Sequence, residues 1–169
     1  KLTSLNVSSF DTSNVTDMGS MFYNCRTLPM LEITNFNTEQ VENMGYMFNR
    51  CSKLENIDVS NIDTSVVNNM KYMFAFCENL SSLNIGHFIT DNVGSIEGMF
   101  CGCSDLGEID LSNFNTSKVE SMSSLFENCL SLKSVNLLNW DTSKTKTMDG
   151  MFEGCKQLNE LSIEHFDTS

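Results

Sequence analysis

Cysteine, histidine and carboxylate side chains are the groups in this 169-residue chain that can hold a metal, attack a carbonyl or move a proton. Six of the seven cysteines, Cys25, Cys51, Cys77, Cys103, Cys129 and Cys155, each stand 26 residues after the last. Zinc needs ligands at short spacing, such as C-x-x-C with a second pair, and one thiol every 26 residues supplies a ladder of single ligands instead. The same spacing places the six in one apolar column, where free thiols behave as small buried apolar groups and not as a disulfide framework. Cys101 stands apart beside the column, and is expected to be a solvent-accessible, oxidisable but incidental cysteine. His87 and His165 share a column with Ser9, Asn35, Asn61, Asn113 and Asn139, three repeats from each other. No Ser-His-Asp arrangement can be assembled from them locally, and His87 reads as a turn residue. Phosphate-cradling strings such as G-x-G-x-x-G or G-K-[ST] do not occur. The reading is therefore not an enzyme, with no cofactor and no metal site.

The acidic residues point to binding. Lys plus Arg number 10 against 22 Asp plus Glu, a formal charge of −12 that disfavours nucleic acid and anionic membranes as partners. One outward column reads Asn6, Glu32, Asp58, Asn84, Asp110, Asn136 and Ser162. Around it Glu55, Glu108, Glu160 and Glu164 face Lys133 as the one cation. Like-signed groups along a strip steer oppositely charged partners, so Glu32, Asp58, Asn84, Asp110 and Asn136 are the candidate face for a basic protein segment or a cation-bridged glycan. A solvated face kept acidic for solubility predicts the same composition.

These residues need elements to position them, and the period supplies the frame. Leu2, Leu28, Leu54, Leu80, Leu106, Leu132 and Leu158 keep the 26-residue step of the cysteines, which gives about 6.5 units in 169 residues. Nine columns, represented by Leu2, Leu5, Val7, Phe10, Val15, Met18, Met21, Phe22 and Cys25, are apolar throughout except at Thr145. Within each unit Leu5 and Val7 are spaced by two, as on one face of a strand. Val15, Met18, Met21, Phe22 and Cys25 are spaced as in the stripe of an amphipathic helix. The unbroken column Thr12, Thr38, Thr64, Thr90, Thr116, Thr142 and Thr168 reads as helix N-caps. The position before each cysteine, with Asn24, Gly102, Asn128 and Gly154, reads as a left-handed C-terminal turn.

Such a unit cannot bury both faces alone, so the coils must stack. The expected fold is an α/β repeat solenoid, leucine-rich-repeat-like, of about 6.5 strand-plus-helix coils, with a parallel sheet on one face and helices on the other. It forms a single array over 1–169, with coils at about 2–27, 28–53, 54–79, 80–105, 106–131, 132–157 and a half coil at 158–169. The Phe22 to Phe152 column is expected to form an aromatic spine. The absence of polar capping repeats suggests an excerpt of a longer protein or end-to-end self-association. No run of 18 apolar residues is present, so no direct membrane insertion is expected, and KLTSLNVSSFD lacks the layout of a secretory signal.

The strings FDTSNVTDMGSMFYNC (Phe10 to Cys25), FNTEQVENMGYMFNRC (Phe36 to Cys51) and WDTSKTKTMDGMFEGC (Trp140 to Cys155) resemble the repeat of BspA-like leucine-rich-repeat surface proteins, also called the Mycoplasma-type lipoprotein repeat. The resemblance covers the whole chain. It implies a leucine-rich-repeat-like solenoid at a cell surface or secreted, attaching to host or neighbouring-cell components. Local departures are Ile89, Ile96, Leu125 and Thr145. Phe10 falls where the buried asparagine ladder of ordinary leucine-rich repeats would lie, so that ladder is not carried over.

Eleven apolar residues lie outside the nine columns. Of these Tyr46 and Tyr72 share one outer helix column, and Phe76 lies one turn beyond Tyr72. They form a second candidate, an exposed aromatic patch suited to interfaces and sugar stacking. Met30 and Leu138 are expected to be exposed on the strand side. The functional expectation is a non-enzymatic adhesion or interaction module with an extracellular protein or glycan partner. Its rival is a structural spacer that presents another domain.

Overall fold

A computed structural model describes residues 2–164 and 166–167, so the expectations for His165 and Thr168 fall outside the described residues. The 26-residue step is a physical stacking distance. Parallel bridges run Asp17 to Asn43, Asn69, Ser95, Ser121 and Thr147, each to its counterpart in the next coil. Among the described residues two strands are present, β1 (Glu108–Asp110) and β2 (Ser134–Asn136). They pair in parallel with Ile109 opposite Val135, and Ser134 bridges on to Glu160. Elsewhere this side is tied by bonds such as Glu55 N–H to the Pro29 carbonyl (3.1 Å) and Asp105 N–H to the Glu78 carbonyl (3.0 Å).

The expected strand-plus-helix architecture is wrong, because the described residues contain no helix. An α-helix sends each N–H to the carbonyl four residues back along its own axis. Here Met18, Ser20, Phe22 and Asn24 send theirs sideways, to the carbonyls of Asn43, Gly45, Met47 and Asn49 in the next coil, at 2.7 to 2.9 Å. The residues between them close tight turns within the coil: Met21 to Met18, Tyr23 to Ser20 and Cys25 to Phe22. Every fourth residue then turns left-handed, with φ of 60° at Ser20 and 65° at Asn24. The same pair recurs at Tyr46 and Arg50, Tyr72 and Phe76, Gly98 and Gly102, Ser124 and Asn128, and Gly150 and Gly154. A chain of alternating turns also brings Val15, Met18, Phe22 and Cys25 to one side, which is why a helical spacing described it. The left-handed residue before each cysteine is present, but it belongs to this turn ladder and not to a helix end.

The threonines do not cap helices either. Thr64 donates its hydroxyl to the Ile89 carbonyl (2.9 Å) and accepts the Ile89 N–H (2.7 Å), so one side chain satisfies both backbone groups of a residue in the next coil. Thr12, Thr38, Thr90, Thr116 and Thr142 make the same reciprocal pair with Asn37, Asp63, Asn115, Asp141 and Asp167. All are buried. A hydroxyl both donates and accepts at one atom, which explains why no unit replaces it with an apolar side chain.

Two further ladders tie the coils. Cys51, Cys77, Cys103, Cys129 and Cys155 each point Sγ at the carbonyl of Phe22, Phe48, Phe74, Phe100 or Phe126 in the preceding coil, at 3.0 to 3.2 Å. The Asn35, Asn61, Asn113 and Asn139 amides donate to carbonyls of the preceding coil, and the His87 ring nitrogen meets the Val59 carbonyl at 3.0 Å. His87 is thus a clamp between coils. A side-chain ladder does exist here, one position ahead of the aromatic column. Between the two faces the Phe22, Phe48, Phe74, Phe100, Phe126, Phe152 rings stack in sequence, with centroids 5.3 to 6.1 Å apart. That spacing suits offset aromatic pairs, which contribute about 0.5–1.5 kcal/mol each beyond area burial.

Candidate functional site

The outward column of the strand side meets the structure unevenly. Asn84, Asp110 and Asn136 line one groove of about 850 Å³ together with Glu108, Glu160 and Ser162. Glu32 and Asp58 are exposed in the same column of earlier coils but do not line that groove. Glu108 and Asp110 stand two apart on β1 and so share its outward face. Glu160 reaches the same groove from the segment bridged to β2. The parallel register therefore gathers three carboxylates and two amides that are far apart in sequence.

The column also has a local duty. Asp58 Oδ1 accepts the Ser60 N–H (2.9 Å), Asp110 Oδ1 accepts the Ser112 N–H (2.9 Å), and Asn136 Oδ1 accepts the Leu138 N–H (3.2 Å). These are Asx turns that bend the chain out of the strand. The Ser60 hydroxyl and N–H hold Asp58 below the usual carboxylate range, and the Ser112 N–H and hydroxyl do the same for Asp110. Both stay charged throughout neutral and mildly acidic conditions. Sequence reasoning saw the charge and missed the turn, although the serine two residues on in Asp58-Val59-Ser60 and Asp110-Leu111-Ser112 was its signal.

The second candidate lies on the turn-ladder side, not on a helix. The rings of Tyr46 and Tyr72 stack at 5.2 Å with 16° between their planes, and Tyr46 is 39% exposed. Arg50 lies 4.8 Å over the Phe76 ring. Tyr72 donates to Glu97 (3.0 Å), which also pairs with Lys71 (3.1 Å). Burial, and then that bond to Glu97, push the Tyr72 phenol up to about 12. All four side chains leave residues with φ between 53° and 62°. Bulky residues rarely accept this region, at roughly 1–2 kcal/mol apiece. Gly98 and Gly102 occupy the same two positions of the next coil and make room for them. A Cβ on Gly98 would overlap the Tyr72 ring, and one on Gly102 would lie 2.6 Å from Phe76.

Five of the seven cysteines are buried, while the column thiols Cys25 and Cys155, expected to be buried, are half-buried. Cys101, expected at the surface, is 5% exposed, and burial pushes its thiol up to about 11. In the same column Asn49 and Ala75 are also buried, while Tyr23 and Glu153 are exposed. Burial likewise raises Cys51 to about 12, and Cys77, Cys103 and Cys129 well above the ordinary thiol range. Among the described residues, no group of three or more His, Cys, Asp and Glu side chains is placed to hold a metal ion. No described helix is long and apolar enough to cross a membrane. Met30 and Leu138 are exposed as expected, Leu138 at 68%.

Stacked 26-residue coils, a parallel ladder on one side and a buried Leu, Phe and Cys core define a leucine-rich-repeat-like repeat protein. The chain belongs to the family described as Mycoplasma protein of unknown function, DUF285, whose model matches residues 1–106 and 74–169. This is the BspA-like, Mycoplasma-type repeat that the DT-x-x-V-x-x-M-x-x-MF-x-x-C strings resemble. No curated protein matches significantly. Among solved structures the chain is similar to a leucine-rich-repeat protein of T. pallidum at 18% identity and TM-score 0.49, over 90% of this chain and 76% of that one. It is also similar to a leucine-rich-repeat protein of Eubacterium ventriosum at 17% identity and TM-score 0.43, over 80% of this chain and 48% of that one.

Proposed function

We propose that the chain is a non-enzymatic interaction module of a surface protein, and that its groove between Asn84 and Ser162 receives an extended basic segment of a partner protein. The observation that carries this reading is the convergence of Glu108, Asp110 and Glu160 in one groove. Carboxylates gathered along a groove steer cationic partners and fix their register more than they raise raw affinity. The side-chain amides of Asn84 and Asn136 add neutral hydrogen-bonding groups to the same strip. Attachment at a cell surface is the role that the resemblance to BspA-like proteins supports.

The test is fluorescence-anisotropy binding of a labelled lysine-rich peptide, with a glutamate-rich peptide as control, at low and high salt. Wild type is expected to bind the basic peptide and to weaken steeply as salt rises. The triple variant Glu108→Lys, Asp110→Lys, Glu160→Lys should lose that binding while staying folded. Equal binding by the variant, or none by folded wild type, would overturn the reading and favour a spacer. A spacer is insensitive to these charges and depends on the number of coils.

A further inference from the structure

We propose that the partner segment in the groove runs across the strands, along the stack, as a polyproline II chain with a cation at every third residue. The proposal rests on the basic-segment reading of that groove and adds a direction and a spacing to it. The groove is lined by residues 82–84, 108–110, 134–136 and 160–162, three from each of four coils. Parallel coils step by about 4.8 Å, so the strip is about 14 Å long along the stack and, at two strand rises, about 7 Å wide. Its outward residues alternate by coil: Ser82 and Asn84, then Glu108 and Asp110, then Ser134 and Asn136, then Glu160 and Ser162. The carboxylates therefore recur on every second coil, and hydroxyls and amides fill the coils between. The ion pairs among the described residues, Lys71 with Glu97 and Lys146 with Glu120, involve none of them.

The dimensions of the strip select the partner's backbone. A strand cannot add to β2 by backbone pairing, because β2 is bonded to β1 on one side and bridged to Glu160 on the other. A strand laid across the face would present like-facing side chains every 6.7 Å or so, roughly, against carboxylates two coils, about 9.6 Å, apart. An α-helix is about 10–12 Å across with its side chains, wider than the strip. A polyproline II chain turns once in three residues at about 3.1 Å each, so residues i and i+3 share a face about 9.3 Å apart. That matches the two-coil step from Glu108 to Glu160. Such a chain has no internal hydrogen bonds, which leaves its carbonyls free for the Asn84 amide and the Ser134 hydroxyl between the carboxylates. A segment already extended when free also loses little conformational entropy on docking.

The experiment measures the binding of three labelled peptides of equal charge. Two are proline-rich, with lysine at every third or at every fourth residue, and the other alternates lysine with threonine. The every-fourth peptide keeps the stiffness of the first and turns its lysines off a common face. The every-third peptide is expected to bind wild type at least tenfold more tightly than the other two at the same salt. Glu160→Gln should bring it down to the level of the every-fourth peptide. Glu39 is exposed outside the groove, and Glu39→Gln should leave binding unchanged. Equal binding of the three peptides, preference for the alternating one, or no fall in the Glu160→Gln variant would overturn the proposed spacing while the basic-segment reading stands. No binding of any peptide to folded wild type would overturn both.

Discussion

Thr64 answers both backbone groups of Ile89, at 2.9 and 2.7 Å, from a buried position. Replacing it with Val keeps the shape and strands a buried N–H and a buried carbonyl, which should cost about 1–3 kcal/mol or more, since each stranded group carries that penalty. Thr64→Ser keeps the hydroxyl and should lose about 1 kcal/mol for the methyl group. Urea unfolding of the two variants checks the order, and a Val variant as stable as the Ser variant would refute the ladder. The thiols make a pH prediction. Their protons are held more tightly in the folded chain than in the unfolded one, where the ordinary value is 9.0, and Cys51 and Cys101 are raised to about 12 and 11. A raised value stabilises the fold fully below the unfolded value and loses that contribution as pH climbs toward the folded one. Under reducing conditions Tm should hold through neutral pH and fall progressively above about pH 9, with the buried Cys51, Cys77, Cys101, Cys103 and Cys129 thiols reacting with a disulfide reagent only on unfolding. The threonine and cysteine columns were legible in the sequence because recurrence inside one chain marks them. Their partners were not, because a threonine before an apolar stripe looks the same whether its hydroxyl meets its own next turn or a carbonyl 25 residues on.

Gly98 and Gly102 show what the turn ladder demands. Both have positive φ, and a Cβ on Gly98 would overlap the Tyr72 ring. Gly98→Ala should destabilise by about 1–2 kcal/mol from the left-handed backbone alone, and should also displace the Tyr72 ring. Gly107 meets nothing within 4 Å, so Gly107→Ala should be close to neutral. Equal effects in thermal melts would contradict the ladder. At this scale sequence reading failed. Met18, Met21, Phe22 and Cys25 are spaced by three, one and three, and both a helix and a run of alternating turns place them on one side. The discriminating signal was Gly98 and Gly150, inside the supposed helix, where each glycine would cost about 1 kcal/mol relative to alanine, whereas Gly102 and Gly154 fell at its expected end.

The whole molecule is a stack whose hydrogen bonds join residues about one 26-residue period apart, and this was legible from the spacing alone. Far-ultraviolet circular dichroism should therefore lack the double minimum of helices, and a helical spectrum would refute the architecture. Removing 54–79, one complete period, should leave a folded chain, while removing half a period should abolish cooperative unfolding. The acidic column was also legible, but its meeting point was not, because only the parallel register of β1 and β2 brings Glu108, Asp110 and Glu160 into one groove. The most direct test of the proposed function follows the backbone amides by NMR while the lysine-rich peptide is added. Shifts concentrated at 82–84, 108–110, 134–136 and 160–162 are the predicted result. Shifts confined to the turn-ladder side, or spread evenly along every acidic residue of the chain, would contradict it.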